Sequence, residues 1–91
     1  MKLTVTDAAV QCFLKEWSIE QGDHVRIFVR YSGGGEDAFA LGIMKDDPEQ
    51  IALEYVAGGI HFFIADNDAW FLDGQNLLID SEQNEIKLLR N

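Results

Sequence analysis

Hydrophobic positions along the chain fall into one stretch of helical period and several of period two. Val10, Phe13, Leu14 and Trp17 stand at i, i+3, i+4 and i+7, the stripe that one face of a helix turns toward a core. Thr6 or Asp7 offers a side-chain oxygen to the orphan N–H groups of a first turn, and Gly22 offers a left-handed stop, so the pattern predicts a helix over residues 7–21. Ahead of it, Lys2-Leu3-Thr4-Val5 reads as a short extended start. Residues 24–31 alternate: Val25, Ile27, Val29 and Tyr31 share one face of a strand, and His24, Arg26, Phe28 and Arg30 the other. Phe39, Leu41 and Ile43 alternate with Ala40, Gly42 and Met44, which predicts a hairpin across the turn at residues 32–37.

Lys45-Asp46-Asp47-Pro48-Glu49 is a solvated loop with Pro48 as its breaker. Ile51, Leu53 and Tyr55 then alternate with Ala52, Glu54 and Val56, and Gly58-Gly59 turns the chain into Ile60-His61-Phe62-Phe63-Ile64, a meander. Asp66-Asn67-Asp68 is placed to cap a short helix through Phe71, and Asp73-Gly74 leads into Leu77-Leu78-Ile79-Asp80. Ile86-Lys87-Leu88-Leu89 reads as a final edge strand or a turn of helix. The expected architecture is α+β: one N-terminal amphipathic helix packed on a mostly antiparallel sheet, in a single domain over residues 1–91.

Composition narrows the partners. Ninety-one residues allow one modest core, and two Trp, two Tyr and six Phe supply large pieces for it. The net charge of −9 comes from 16 acids against 7 bases, dispersed along the chain. Such a surface repels phosphate backbones, so nucleic acid or an anionic membrane is a poor partner unless the bases cluster strongly, and neither is expected. No run approaches the eighteen or so apolar residues of a membrane span, and Met1-Lys2-Leu3-Thr4 opens no secretory h-region, so a cytoplasmic protein is expected. The single cysteine, Cys12, admits no internal disulfide. At 100° per residue it lies about 200° round from Val10 and is expected to face away from the apolar stripe, with Lys15 and Ile19, as an accessible but unactivated thiol.

The stretch that looks built for a purpose is Ser32-Gly33-Gly34-Gly35-Glu36-Asp37, where three glycines open backbone conformations closed to other residues. Gly33 to Ala38 fits G-x-G-x-x-A, yet the segment from Ala38 to Met44 has period two and two acids occupy the phosphate position, so the dinucleotide fingerprint is accidental. There is no Gly-Lys-Ser/Thr for a phosphate loop, and Asp66-Asn67-Asp68 lacks the glycine and distal glutamate of a calcium loop. One cysteine and two separated histidines make no soft-metal set. Glu36, Asp37, His61 and Asp66 are candidates to converge as a hard-cation site. Ser32 has no base at a known spacing and no G-x-S-x-G context, so no enzyme is expected. Arg26 and Arg30 admit two readings, a small-anion site or pairing with acids across the ladder.

The order of these pieces resembles the HesB-like family, the A-type carriers of iron–sulfur cluster assembly, along nearly the whole chain. The similar segments are Leu3-Thr4-Val5-Thr6-Asp7-Ala8-Ala9 before the helix, Val25-Arg26-Ile27-Phe28-Val29 running into Gly33-Gly34-Gly35, and Phe71-Leu72-Asp73-Gly74 followed by Leu78-Ile79-Asp80. The resemblance implies a HesB-like fold and a role in iron–sulfur cluster biogenesis, with iron or an iron–sulfur cluster as cofactor and proteins of that assembly as partners. In the family a cysteine typically follows the glycine turn and a Cys-Gly-Cys near the C-terminus completes the thiolate set. Here Glu36 stands at the first position and the chain closes on Leu89-Arg90-Asn91. What the resemblance then implies is a degenerate metal site in which Gly33, Gly34, Gly35 and Glu36 shape the functional edge and Glu36 offers iron an oxygen ligand in place of a thiolate. The alternative is a non-catalytic module that keeps the scaffold and binds a protein partner.

Overall fold

A computed structural model describes residues 1–31 and 39–91. Strand β1 (Leu3–Val5) leads into helix α1 (Asp7–Glu16), followed by β2 (His24–Tyr31), β3 (Phe39–Lys45), β4 (Ile51–Ala57) and β5 (Ile60–Ala65). A 3-10 turn (Ala69–Leu72) precedes β6 (Leu77–Glu82) and β7 (Glu85–Arg90). The α+β expectation holds, with a difference in the sheets. The described strands form two sheets: β1-β6-β7 and β3-β2-β5-β4. The β2–β3, β4–β5 and β6–β7 pairs are antiparallel, whereas β1–β6 and β2–β5 are parallel.

Turn chemistry explains the hairpins. Gly58 and Gly59 both have positive φ, as do Gln83 and Asn84, the two-residue geometry whose twist matches that of the flanking strands. A Cβ on Gly58 would also lie 2.5 Å from Cγ1 of Val10, so the first of these turns sits directly against the helix.

Thr6 starts the helix: its hydroxyl accepts from the N–H of Ala9 at 3.2 Å and donates to Asp80 Oδ1 at 2.7 Å, tying the helix start to β6. That bond, with a second from the N–H of Ser81, holds the Asp80 carboxyl below its usual pKa. The helix is five residues shorter than its sequence pattern implies. Ser18 takes the left-handed conformation at φ 55°, and the N–H of Ile19 turns back to the carbonyl of Phe13 at 3.3 Å. This reversal drops Ile19 into the core. Gly22 does have positive φ, but it serves the approach to β2, where its N–H donates to Gly59.

The helix lies between the two sheets. Ala9, Val10 and Phe13 face a core of Leu3, Val5, Val25, Ile27, Phe62, Ile64, Leu77 and Ile79. Phe13 is the keystone, fully buried and with its ring 5.4 Å from that of Phe62 in the second sheet. Cys12, expected at the surface, is 5% exposed. The β6–β7 hairpin folds over that flank of the helix, and the thiol donates to the carbonyl of Asn84 at 3.5 Å. The covered part of the helix is thus wider than its main apolar stripe, although Asp7, Ala8, Gln11, Lys15 and Glu16 stay exposed.

Candidate functional site

Gly33, Gly34, Gly35 and Glu36, with Asp37, lie outside the described residues. Their base is described: β2 and β3 remain paired up to Tyr31 opposite Phe39, so the hairpin expected across the glycine turn is present. Along β2, the parallel partner β5 covers only His24, Arg26 and the residue between them. Beyond Arg26 that edge needs other acceptors. Asp68, next to the 3-10 turn, supplies one: its Oδ1 accepts from the N–H of Val29 at 3.2 Å and its Oδ2 binds Arg26 Nη2 at 2.7 Å. Asp68 is buried at 7% exposure, and Arg26 also reaches Asp46 Oδ2 at 3.2 Å and Asn67 Oδ1 at 3.4 Å.

These bonds, that of Asp68 first, hold the guanidinium pKa above its usual value against the effect of burial. Arg26 therefore stays charged with its charge met by two carboxylates, and of the two readings of the β2 arginines, pairing with acids is the one the structure shows for it. The cavity of about 200 Å³ beside Arg26 is lined also by Asp46, Asp47 and Glu49, a wall that repels anions. Arg30 is exposed and borders a different groove, beside Leu41, Ile86 and Leu88. Asp68 was expected to cap a short helix. It makes no capping bond, because both of its oxygens are taken by β2.

The other candidates do not converge. His61 stacks on His24 with ring centroids 4.7 Å apart, near the start of β5, whereas Asp66 follows the strand's far end. Among the described residues, no group of three or more His, Cys, Asp or Glu side chains is placed to hold a metal ion. The donor set there does not fit iron or a cluster, since Cys12 is the chain's only cysteine and its thiol is buried against Asn84. No described helix is long and apolar enough to cross a membrane.

One feature was missed by sequence reasoning. Tyr31, Phe39 and Trp70 are 69%, 45% and 57% exposed, yet they are not scattered. Edge-to-face contacts of 5.6 Å link Tyr31 to Phe39 and Phe39 to Trp70, and 5.7 Å separates Trp70 from Phe71. Arg90 closes the row, its guanidinium 4.7 Å from the centroid of the Phe71 ring while Nη1 donates to the carbonyl of Phe71 at 3.2 Å. The available signal was Trp70 beside a turn too short to bury it. Monomers rarely leave large rings contiguous at the surface without a use.

No family model matches this chain. It is 36% identical over 86 residues to the pyruvate dehydrogenase inhibitor of Bacillus subtilis, an alignment spanning 92% of this chain and 90% of that protein. It is 32% identical over 87 residues to an uncharacterized protein of Staphylococcus saprophyticus, covering 88% and 87% of the two. Among solved structures it resembles IscA with the 2Fe–2S cluster, at a TM-score of 0.58 and 21% identity over 98% of this chain and 80% of that one. It also resembles Escherichia coli SufA, involved in biosynthesis of iron–sulfur clusters, at a TM-score of 0.62 and 20% identity over 99% and 79%. At such identities these two likenesses speak to the fold alone.

Proposed function

The chain belongs to the family of the Bacillus subtilis pyruvate dehydrogenase inhibitor, built on a HesB-like fold without the ligand cysteines, and from that premise we propose that it is a non-catalytic inhibitor that binds a pyruvate dehydrogenase. The observation that carries this reading is the 36% identity to the Bacillus subtilis inhibitor across nearly the full length of both chains. The chemistry of the chain supports it. A carrier needs thiolates to hold and release its cargo, and one buried cysteine supplies none to an incoming cluster. An inhibitor that works by docking needs only a rigid scaffold and a surface. The cytoplasm is the compartment this reading implies.

The test is the rate of pyruvate oxidation by purified pyruvate dehydrogenase from the same organism, titrated with the purified chain, with binding followed in parallel by interferometry. Saturable loss of activity at near-stoichiometric chain is expected. Full activity at a large excess, with no binding signal, would refute the proposal.

A second reading is favoured by the fold shared with IscA and SufA: an accessory role in iron–sulfur biogenesis, with protein partners of that assembly and Gly33, Gly34, Gly35 and Glu36 forming an edge that offers iron an oxygen ligand. Anaerobic reconstitution with ferrous iron and sulfide distinguishes it. Iron retained by the wild type and lost in Glu36→Ala supports this role, and no retained iron removes it.

A further inference from the structure

We propose that the row Tyr31, Phe39, Trp70 and Phe71, finished by Arg90, is the surface through which the chain docks on its enzyme partner, and that it fits an apolar cleft rimmed by lysine and arginine. The proposal rests on the inhibitor reading and specifies where that contact is made.

Three observations lead to it. The rings of Tyr31, Phe39 and Trp70 are exposed in series, backed by the half-buried Phe71, and aromatic side chains carry a large share of binding energy when they enter a partner's pockets. The rings are also held before any partner arrives: each leans edge-on against the next, Arg90 pins Phe71, and the Asp68 clamp fixes the 3-10 turn against β2. Little rotamer entropy is then lost on docking. The third observation is charge. Asp66 and Asp73, both exposed, flank the 3-10 turn that carries Trp70 and Phe71. Arg30 points from the face of β2 opposite Tyr31, and Arg90 is engaged by Phe71.

Charge also decides the occupant. A second copy would bring −9 against −9, and nucleic acid or an anionic bilayer would meet the same repulsion. A protein cleft with a cationic rim is the complement.

The experiment measures binding and inhibition of pyruvate dehydrogenase by the wild type, Trp70→Ala, Trp70→Phe, the charge-neutral pair Asp66→Asn/Asp73→Asn, and Val56→Ser as a control on the exposed outer strand β4 at the far side of the sheet from Phe39. Trp70→Ala is expected to raise Kd at least about 30-fold, with circular dichroism and Tm unchanged because the ring is largely in solvent. Trp70→Phe should recover most of the affinity, Val56→Ser should match the wild type, and the Asn pair should lower kon and flatten its dependence on salt. Inhibition by Trp70→Ala at wild-type Kd would overturn the surface while leaving the inhibitor reading intact. Failure of the wild type itself to bind or inhibit would bring down that reading, and the surface with it. Light scattering that shows a wild-type dimer split by Trp70→Ala would assign the row to self-association and overturn the proposal.

Discussion

Asp68→Ala separates what the fold needs from what the pattern of the chain suggests. The substitution removes one partner from a pair with the Arg26 side chain at 24% exposure and the Asp68 side chain at 9%. Breaking a fully buried pair costs about 3–5 kcal/mol because the survivor is left uncompensated. Arg26 keeps Asp46 at 3.2 Å and is partly solvated, which lowers that share to roughly 1.5–2.5 kcal/mol. The N–H of Val29 loses its acceptor as well, and β5 does not extend far enough to replace it, adding about 1 kcal/mol. The sum is about 3 kcal/mol, or a fall in Tm on the order of 12–24 °C for a domain of this size.

Urea unfolding at pH 7, followed by tryptophan fluorescence and far-ultraviolet dichroism, measures the loss. Asp68→Asn should fall between the two, since an amide satisfies either Arg26 or Val29 but not both. Arg26→Leu with Asp68→Ala completes a double-mutant cycle, in which the pair should lose clearly less than the sum of the single changes. A loss below about 0.5 kcal/mol in Asp68→Ala, or a cycle with no coupling, would refute the clamp. Because the same residue anchors the 3-10 turn, Asp68→Ala should also loosen Trp70, visible as faster fluorescence quenching by acrylamide.

Three further outcomes are expected. Thr6→Val removes both the cap of α1 and the bond to Asp80 and should cost about 1 kcal/mol by thermal melt, most of it from the cap. The wild type should lose stability on acidification: Asp80 and Asp23 have folded pKa values below 3.8, the one through the Thr6 hydroxyl and the other through the N–H of Glu20, so their contribution is complete above that value and is lost as pH falls through the lower folded ones. In Thr6→Val the acid-sensitive part due to Asp80 should shrink, and an identical pH profile would contradict the assignment. Gly58→Val sets a branched side chain at φ 59° and against Val10, and should destabilise by about 1–3 kcal/mol in the same melt, far more than Gly74→Val, which has positive φ but open space.

The strands were legible because their alternation is local. His24–Tyr31 and the turn at Gly58-Gly59 can be read from eight residues or fewer. Which strands become neighbours is not local. The parallel pairing of β1 with β6, across more than seventy positions, is implied by no periodicity, and it is what splits one expected sheet into two. The helix boundary failed for a related reason: Ile19 continues the chain's apolar character but is buried by a reversal at Ser18, a residue with no strong claim to the left-handed region. Cys12 was misplaced because a helical wheel shows one stripe while the β6–β7 hairpin, distant in sequence, folds over a second flank. Arg26 was legible as a cation seeking acids, though not that its tightest partner would be Asp68, forty-two positions on.

The aromatic row and the clamp belong to one structural argument. A fold shared with cluster carriers requires nothing of thiolates to stay folded, since its core is Phe13, Phe62 and their aliphatic neighbours. The scaffold's stability therefore rests on apolar packing, which leaves the edge carrying the aromatic row for another use. Turning that edge into a docking face requires that exposed rings be held still, because each side chain left free to rotate would forfeit on binding about 0.5–1.5 kcal/mol. The short 3-10 turn has no side-chain cap at its start and is closed only by backbone bonds such as that from the N–H of Asp73 to the carbonyl of Trp70 at 3.1 Å. Asp68 holds it from outside, by filling the gap where β5 leaves β2. The ion pair that a reading of β2 assigns to stability is thus also what gives the surface a fixed shape.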